Sequence, residues 1–181
     1  MNNKIPSDQD LLELAASVGA QLKQGACTLT TAESCTGGWA AKLMTDHAGS
    51  SAWFERGFVT YTNISKQELL GVDAQILQDH GAVSEAVVRS MAQGALEHSP
   101  AAISLAISGI AGPGGGAEDR PVGLVWFAWA RQQGPHQDGN SEYAGACLCS
   151  EQKIFSGDRD AIRRQAVAHA LMGVTRCLGG G

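Results

Sequence analysis

Residues 27–44, CTLTTAESCTGGWAAKLM, join a strand, a loop and a helix within 18 residues. The first part, Cys27–Ala32, is rich in β-branched side chains and predicts a short buried strand. The last part, Trp39–Met44, predicts a helix. The loop between them includes Gly37-Gly38, and the chain passes directly from strand to helix. Such alternation of strands and helices is typical of α/β proteins.

The rest of the chain continues this alternation. Helical spacing of apolar residues predicts further helices at 8–24, 65–70, 84–97 and 158–178. Segments of β character predict further strands at 54–62, 101–107, 121–130 and 142–150, the last two joined by a polar hairpin connection. The order indicates a mixed α/β sheet with helices on both faces, and both apolar faces of 121–130 predict a central strand. Without a linker or repeat, residues 1–181 are expected to form a single domain.

The overall composition excludes several classes of protein. A net charge of −5 and a pI near 5.5 argue against binding nucleic acid through overall charge. No apolar run approaches the roughly 20 residues of a membrane span, and the polar N-terminus is unlike a signal peptide. Five cysteines without a C-x-x-C pair are typical of reduced thiols, so we expect a cytoplasmic protein. The five histidines are scattered without metal-ligand spacing, which argues against a metal hydrolase.

The loop Glu33–Gly38 is the first candidate site. Its small residues let backbone N–H groups converge on a ligand, and the following helix N-terminus favours an anion or a developing oxyanion. Ser34 stands where the strand ends, and a hydroxyl there faces a crevice. Two alternatives stay open: Ser34 or Thr36 only caps the helix, or Cys35 is the nucleophile.

The second candidate site is the glycine-rich loop Ser108–Gly116, SGIAGPGGG, which directly follows an apolar strand. It contains five of the 23 glycines in the chain. A backbone without side chains can approach a ligand closely. The alternative is a structural turn, but a turn requires about two glycines rather than five. The pattern therefore favours ligand binding.

Three cations complete the candidate residues. Lys66 lies just past a predicted strand, and a lysine made neutral by burial can activate a serine, which fits better than a Ser–His triad. The alternative is a solvated lysine on a surface helix. Arg159 and Arg163 share a face in the first turns of the last helix, where cations oppose the helix dipole. Either an anionic ligand or the neighbouring Asp158 and Asp160 would resolve that conflict, and a solvated charged face stays open.

Several short blocks, taken together, resemble one family. They are Thr31–Gly38 (TAESCTGG), Tyr61–Asn63 with Lys66, Gly81–Ser84 (GAVS), Ser108–Pro113 (SGIAGP), Pro121–Gly123 (PVG), and Gly157–Arg159 with Arg163. Their order resembles the CinA C-terminal family, whose active members are nicotinamide-nucleotide amidohydrolases of the PncC type. The resemblance covers roughly residues 8–178. It looks like the stand-alone form of a domain that larger members carry behind a molybdopterin-binding-like domain.

The resemblance implies a fold and an activity. The fold is a three-layer α/β/α sandwich with a mixed, mostly parallel sheet of about five strands. The activity is metal-independent hydrolysis of the carboxamide of nicotinamide mononucleotide (NMN), giving nicotinic acid mononucleotide and ammonia, with no cofactor. The partner is then a small-molecule nucleotide. The alternative is a non-catalytic nucleotide-binding or regulatory member of the same family.

The resemblance also implies roles for individual residues. Ser34 is the expected nucleophile, Lys66 the base, and Tyr61 positions the substrate ring or the proton relay. Backbone N–H groups around Thr36 and Gly37 are expected to hold the oxyanion. The remaining expected substrate-binding residues are Glu33, Ser108, Gly109, Gly112, Arg159 and Arg163, with the phosphate bound by the 108–112 loop and Arg163.

Two departures from the family pattern stand after the glycine run. Ala117 occupies a place where the family usually has threonine or serine, and Arg120 stands where it has lysine, which keeps the charge but changes the geometry. We also expect a homo-oligomer, because such folds often pair. The apolar residues Trp53 and Phe54 are candidates for either the interface or the core.

Overall fold

The computed structural model describes residues 5–132 and 146–179, which form five strands and six α-helices. The strands are β1 (Leu29–Glu33), β2 (Phe54–Val59), β3 (Ile103–Gly109), β4 (Leu124–Gln132) and β5 (Ala146–Ile154). The helices are α1 (Asp8–Gln24), α2 (Trp39–Thr45), α3 (Asn63–Leu70), α4 (Ala74–His80), α5 (Glu85–Glu97) and α6 (Arg159–Gly179).

The strands form one sheet in the order β2-β1-β3-β4-β5. β1 pairs in parallel with β2 and β3, whereas β4 is antiparallel to both of its neighbours. Four strands therefore run in one direction and β4 runs against them, which confirms a mixed sheet with a mostly parallel strand direction. Because four carboxyl ends meet at one edge of the sheet, the loops that follow β1, β2, β3 and β5 gather there.

Helices cover both faces of the sheet, which confirms the three-layer α/β/α sandwich. One face carries large side chains such as Leu105 and Phe127, and these pack in one core with residues of α1, α2 and α6. The other face is lined by a row of alanines, Ala32, Ala106 and Ala128, which are direct neighbours across three strands. Small side chains in this row let α5 lie close to the sheet.

Helix α3 is held against α5 by a close backbone contact. A Cβ atom on Gly94 of α5 would lie 1.9 Å from the carbonyl oxygen of Leu70, the last residue of α3. No side chain fits in that space, so glycine allows the two helices to approach. The position of α3 relative to the sheet therefore depends on α5.

The predicted elements are confirmed, with shifted ends. Ser84 caps α5 through a hydrogen bond to the Val87 amide, as the sequence predicts, and β4 is a central strand. The observed β1, β3 and β4 begin two or three residues later than expected, and α3 begins two residues earlier, capped by Thr62.

Helix α4 is an addition that the sequence analysis missed. Residues 133–145, which include most of the expected hairpin and the expected start of β5, lie outside the described residues.

Two further observations concern expected surfaces. Trp53 lies over Gly19 of α1, and its indole N–H donates to the Met44 carbonyl at 3.2 Å, so it packs against the core. Phe54 is also partly buried against this core. Within the described part of the chain, no helix combines the length and the hydropathy needed to cross a membrane.

Candidate active site

The candidate residues meet at the edge where four strands end. Ser34 directly follows β1, and Lys66 lies on α3, which follows β2. The glycine-rich loop follows β3, and Arg159 and Arg163 lie at the start of α6, which follows β5. Residues from four separate segments thus share one location because of the strand directions.

Lys66 and Ser34 form a buried pair. The Lys66 Nζ atom lies 3.1 Å from the Ser34 Oγ atom and 2.7 Å from the Thr60 carbonyl oxygen. Lys66 is 1% exposed, so it is not the solvated lysine of the alternative interpretation. Burial lowers the pKa of Lys66 to about 8, because a charged ammonium loses its hydration there. A neutral amine can donate an N–H to Thr60 and accept the proton of the serine hydroxyl.

Cys35 is poorly suited to be the nucleophile. It is buried, and burial raises the pKa of its thiol to about 12. The thiolate is the reactive form of cysteine, and it is scarce at neutral pH when the pKa is this high. Among the two nucleophiles considered for this loop, the geometry favours Ser34.

Glu33 caps helix α2 from inside the protein. Its carboxylate accepts hydrogen bonds from the Thr36 hydroxyl at 2.7 Å and from the amides of Gly38, Ala40 and Ala41 at 2.9–3.1 Å. Neither Ser34 nor Thr36 caps this helix, because its N-cap residue is Gly38. Glu33 is fully buried, so its carboxylate fixes the loop rather than facing a substrate.

Replacing this carboxylate is expected to destabilise the fold. In Glu33→Gln, an amide NH₂ group replaces one acceptor oxygen opposite N–H donors, and the favourable charge at the helix N-terminus is lost. We expect the free energy of unfolding to fall by about 2–3 kcal/mol. Urea denaturation measures this. The matched control is Glu13→Gln on the exposed side of α1, for which a change within about 0.5 kcal/mol is expected. Equal stability of the two variants would contradict the capping role.

The amides of the Ser34 loop divide into engaged and available groups. The Gly37 N–H donates to the Ser34 carbonyl at 3.0 Å, so it is already used. Within the described residues, no backbone carbonyl accepts from the N–H of Cys35 or Thr36. Of the two expected oxyanion donors, the Gly37 N–H is thus engaged within the loop, whereas the Thr36 N–H is not bonded to a backbone carbonyl of the described residues.

The two arginines have different surroundings. Arg163 donates from Nε to the Cys35 carbonyl at 3.1 Å and from Nη2 to the Thr36 carbonyl at 2.8 Å. It therefore braces the Ser34 loop, and its guanidinium also lies over the Trp39 ring. Arg159 is exposed and donates to the Gly112 carbonyl at 2.7 Å and to the Tyr61 hydroxyl at 3.0 Å. It connects the glycine-rich loop to Tyr61, and Asp160 pairs with Arg164 instead.

The other expected site residues are placed less directly. Tyr61 is 59% exposed and borders the site through its hydroxyl, which accepts a hydrogen bond from Arg159. The Ser108 hydroxyl is turned to the Ala82 carbonyl at 2.7 Å. Gly109 ends β3 against Val125, where a Cβ would lie 2.7 Å from a methyl group. These two residues shape the loop, whereas Gly112 holds Arg159.

The two departures from the family pattern form one turn. Ala117 and Arg120 exchange backbone hydrogen bonds at 2.9 and 3.1 Å. The Arg120 side chain lies over Gly81, where a Cβ would stand 2.3 Å from a guanidinium nitrogen. In residues 5–132 and 146–179, no group of three or more His, Cys, Asp or Glu side chains is arranged to hold a metal ion.

Comparison with known proteins gives the same family as the sequence blocks. The profile of the CinA C-terminal domain matches residues 11–178. The chain belongs to the CinA C-terminal domain family. The nicotinamide-nucleotide amidohydrolase PncC of Escherichia coli (strain K12) is 54% identical over 165 residues, 91% of this chain and 93% of that protein. The protein of that name from Enterobacter agglomerans is 48% identical over 94% of this chain and 96% of that protein.

Solved structures of the CinA superfamily have the same fold. A competence-damaged protein (CinA) superfamily protein from Klebsiella pneumoniae 700603 matches with a TM-score of 0.83 and 37% identity. The match covers 94% of this chain and 99% of that one. The family resemblance expected from the sequence is thus confirmed over nearly the whole chain.

Sequence reasoning missed one member of the site. The Thr60 carbonyl accepts a hydrogen bond from Lys66 Nζ at 2.7 Å, which is shorter than the 3.1 Å contact between Nζ and Ser34 Oγ. A backbone carbonyl leaves no signal in the residue type. The placement of Thr60 between β2 and Tyr61, at a strand end, is the only indication that the sequence offers.

Proposed function

We propose that this chain, acting as a single catalytic domain, hydrolyses the carboxamide of NMN to nicotinic acid mononucleotide and ammonia. The observation that carries the proposal is the buried contact between Lys66 Nζ and Ser34 Oγ at 3.1 Å. Binding alone does not require a buried lysine beside a serine. The names of the CinA-family relatives at 48–54% identity support the substrate.

The proposed reaction begins with Ser34 as the nucleophile. Neutral Lys66 takes the hydroxyl proton while Oγ attacks the carboxamide carbon, and the carbonyl oxygen becomes an oxyanion. As the C–N bond breaks, the Lys66 ammonium returns the proton to the leaving nitrogen, and ammonia departs. Water then attacks the acyl-enzyme ester while Lys66 takes a proton from it, and Lys66 returns this proton to Ser34 Oγ as the ester C–O bond breaks. The products are the free carboxylate and the restored serine. No step in this scheme draws on a metal ion.

The oxyanion is proposed to bind to the backbone of the Ser34 loop. The amides of Cys35 and Thr36 follow the nucleophile directly, and removing one such donor typically costs about 10²–10³ in rate. Arg163 and Glu33 hold this loop from its two sides, through the carbonyls of Cys35 and Thr36 and through the start of α2. Their proposed role is to position these donors.

The phosphate is proposed to bind at Arg159 and the glycine-rich loop. Arg159 is exposed at the entrance and contacts both Gly112 and Tyr61. Its guanidinium can grip two phosphate oxygens. The expected phosphate role of Arg163 thus moves to Arg159, because the Arg163 guanidinium is engaged with two loop carbonyls.

We expect replacement of the two arginines to change different steady-state constants, mainly KM for Arg159 and mainly kcat for Arg163. Arg159→Gln removes a charged contact that forms in both the ground state and the transition state, so KM for NMN should rise about 10–100-fold with kcat little changed. Arg163→Gln loosens the Ser34 loop, so kcat should fall more than KM rises. Initial rates over a range of NMN concentrations measure both. The reversed pattern would return the phosphate role to Arg163.

We expect kcat/KM for NMN hydrolysis to increase as the pH is raised towards the Lys66 pKa of about 8. Lys66 must be neutral to accept a proton, and its pKa is lowered to about 8 by burial. Below that pH the ammonium form predominates, so kcat/KM should fall about tenfold per pH unit. Above it the rate should level off. Profiles of kcat/KM from about pH 6.5 to 10 test this, and a rate independent of pH across 8 would remove Lys66 as the base.

The direct test is ammonia release from NMN by the purified protein in the presence of a chelator. We expect stoichiometric ammonia and nicotinic acid mononucleotide. NMN binding without release would favour the non-catalytic nucleotide-binding alternative, and loss of activity with the chelator would contradict metal independence. The expected homo-oligomer and cytoplasmic location stay predictions, which sedimentation and fractionation of cells measure.

A further inference from the structure

Two thiols approach each other at the end of the molecule opposite the proposed active site. Cys149 lies on the edge strand β5, and Cys177 lies in the last turn of α6. Their Sγ atoms are 4.0 Å apart, although the residues are separated by 28 positions in the chain. Cys177 stands 14 residues beyond Arg163, or about 21 Å along a helix axis.

We propose that Cys149 and Cys177 are a redox modification site, forming a reversible disulfide that joins β5 to the end of α6. A disulfide requires sulfurs about 2.05 Å apart, so the two atoms must approach by about 2 Å. Rotation of two side chains, one of them in a terminal helical turn, supplies a movement of this size.

The surroundings hold both residues while leaving them accessible. The Cys149 thiol lies 3.8 Å from the Trp129 carbonyl, and Arg131 donates to the Cys177 carbonyl at 3.0 Å. Cys149 is exposed, and a cleft of about 210 Å³ is lined by both cysteines. The buried Cys27 and Cys35 have no such access. An oxidant can therefore reach this pair rather than the core thiols.

The proposed oxidant is a low-molecular-weight disulfide such as oxidised glutathione. The Cys149 thiol loses its proton and attacks one sulfur, forming a mixed disulfide and releasing one glutathione. The Cys177 thiol then loses its proton and attacks the Cys149 sulfur, releasing the second glutathione. The two protein thiols give up two electrons and two protons, and the oxidant becomes two thiols.

The bond is expected to stabilise the protein. It would close a loop of about 29 residues in the unfolded chain and restrict its conformations. For a domain of this size, we expect Tm to rise by about 5–10 °C on oxidation. Dithiothreitol should return Tm to the reduced value.

Peptide mapping of the full-length protein tests the proposal. The protein is reduced, incubated with oxidised glutathione, alkylated and digested with trypsin without reduction. The expected product links residues 177–181 to residues 132–153 and is two hydrogens lighter than the separate peptides. Because 132–153 also contains Cys147, the same link must form in Cys147→Ser.

Matched variants make the outcome decisive. Cys149→Ser and Cys177→Ser should each abolish the linked peptide and the Tm shift, whereas Cys27→Ser should retain both. If Cys149→Ser or Cys177→Ser fails to fold, the peptide map and the Tm shift of Cys147→Ser test the proposal instead. Stable mixed disulfides, a bond to Cys147, a bond between two molecules, or no Tm shift would each overturn the proposal.

Discussion

Ser34→Ala is expected to reduce kcat for NMN hydrolysis by at least about 10⁴-fold, because the variant lacks the atom that attacks the carboxamide. The substitution removes one hydroxyl at a site that is 8% exposed. The proposed phosphate contacts at Arg159 do not involve Ser34. The dissociation constant for NMN should therefore change by less than about threefold. Ammonia release measures the first quantity and isothermal titration the second.

Ser17→Ala is the matched control for this variant. Ser17 lies on the exposed side of α1, away from the site, so its replacement should leave kcat unchanged. Full activity of Ser34→Ala would show that another group attacks the substrate. Loss of NMN binding together with activity would mean that the hydroxyl binds rather than reacts.

Lys66→Met is expected to lower kcat by about 10²–10⁴-fold, because it removes the only base proposed for Ser34. Methionine fills most of the buried space without a proton acceptor, so the fold should persist. Since the two residues act as one unit, the double variant with Ser34→Ala should be no slower than Ser34→Ala alone. Initial rates measured at pH 9, where most of the wild-type lysine is neutral, provide the comparison.

Lys23→Met provides the control for loss of a positive charge. Lys23 lies exposed in the last turn of α1, and its replacement should leave both kcat and KM unchanged. A Lys66→Met variant that retains activity and its pH dependence would contradict the assigned base. If Lys66→Met loses activity and also has a much lower Tm, circular dichroism shows whether the variant is still folded. Lys66→Gln then provides a second, more polar replacement.

Local chemistry made much of the fold predictable. Ser84 precedes an amphipathic stretch, and hydroxyl caps of this kind are read directly from the sequence. Helix α4 was missed because it is seven residues long and buries only Leu77. Strand ends shifted because residues beside a strand share its composition, and only pairing across the sheet fixes the register.

The candidate site was predictable in its residues but not in its contacts. The segments containing Ser34 and Lys66 are visible as blocks, yet their 3.1 Å contact depends on two parallel strands ending together. The family resemblance implies that Glu33 contacts the substrate, whereas its side chain is fully buried. Its burial against α2 depends on packing that no local pattern records.

The alanine row under α5 connects side-chain size in the middle of the sheet with the geometry of the site at the sheet edge. Ala106 lies in the middle of β3, yet α5 packs on this row, and α3, which carries Lys66, contacts α5 closely at Gly94. A larger side chain in the row would lift both helices and draw the amine away from Ser34. The small side-chain volume at these three interior positions therefore sets how closely Lys66 approaches Ser34.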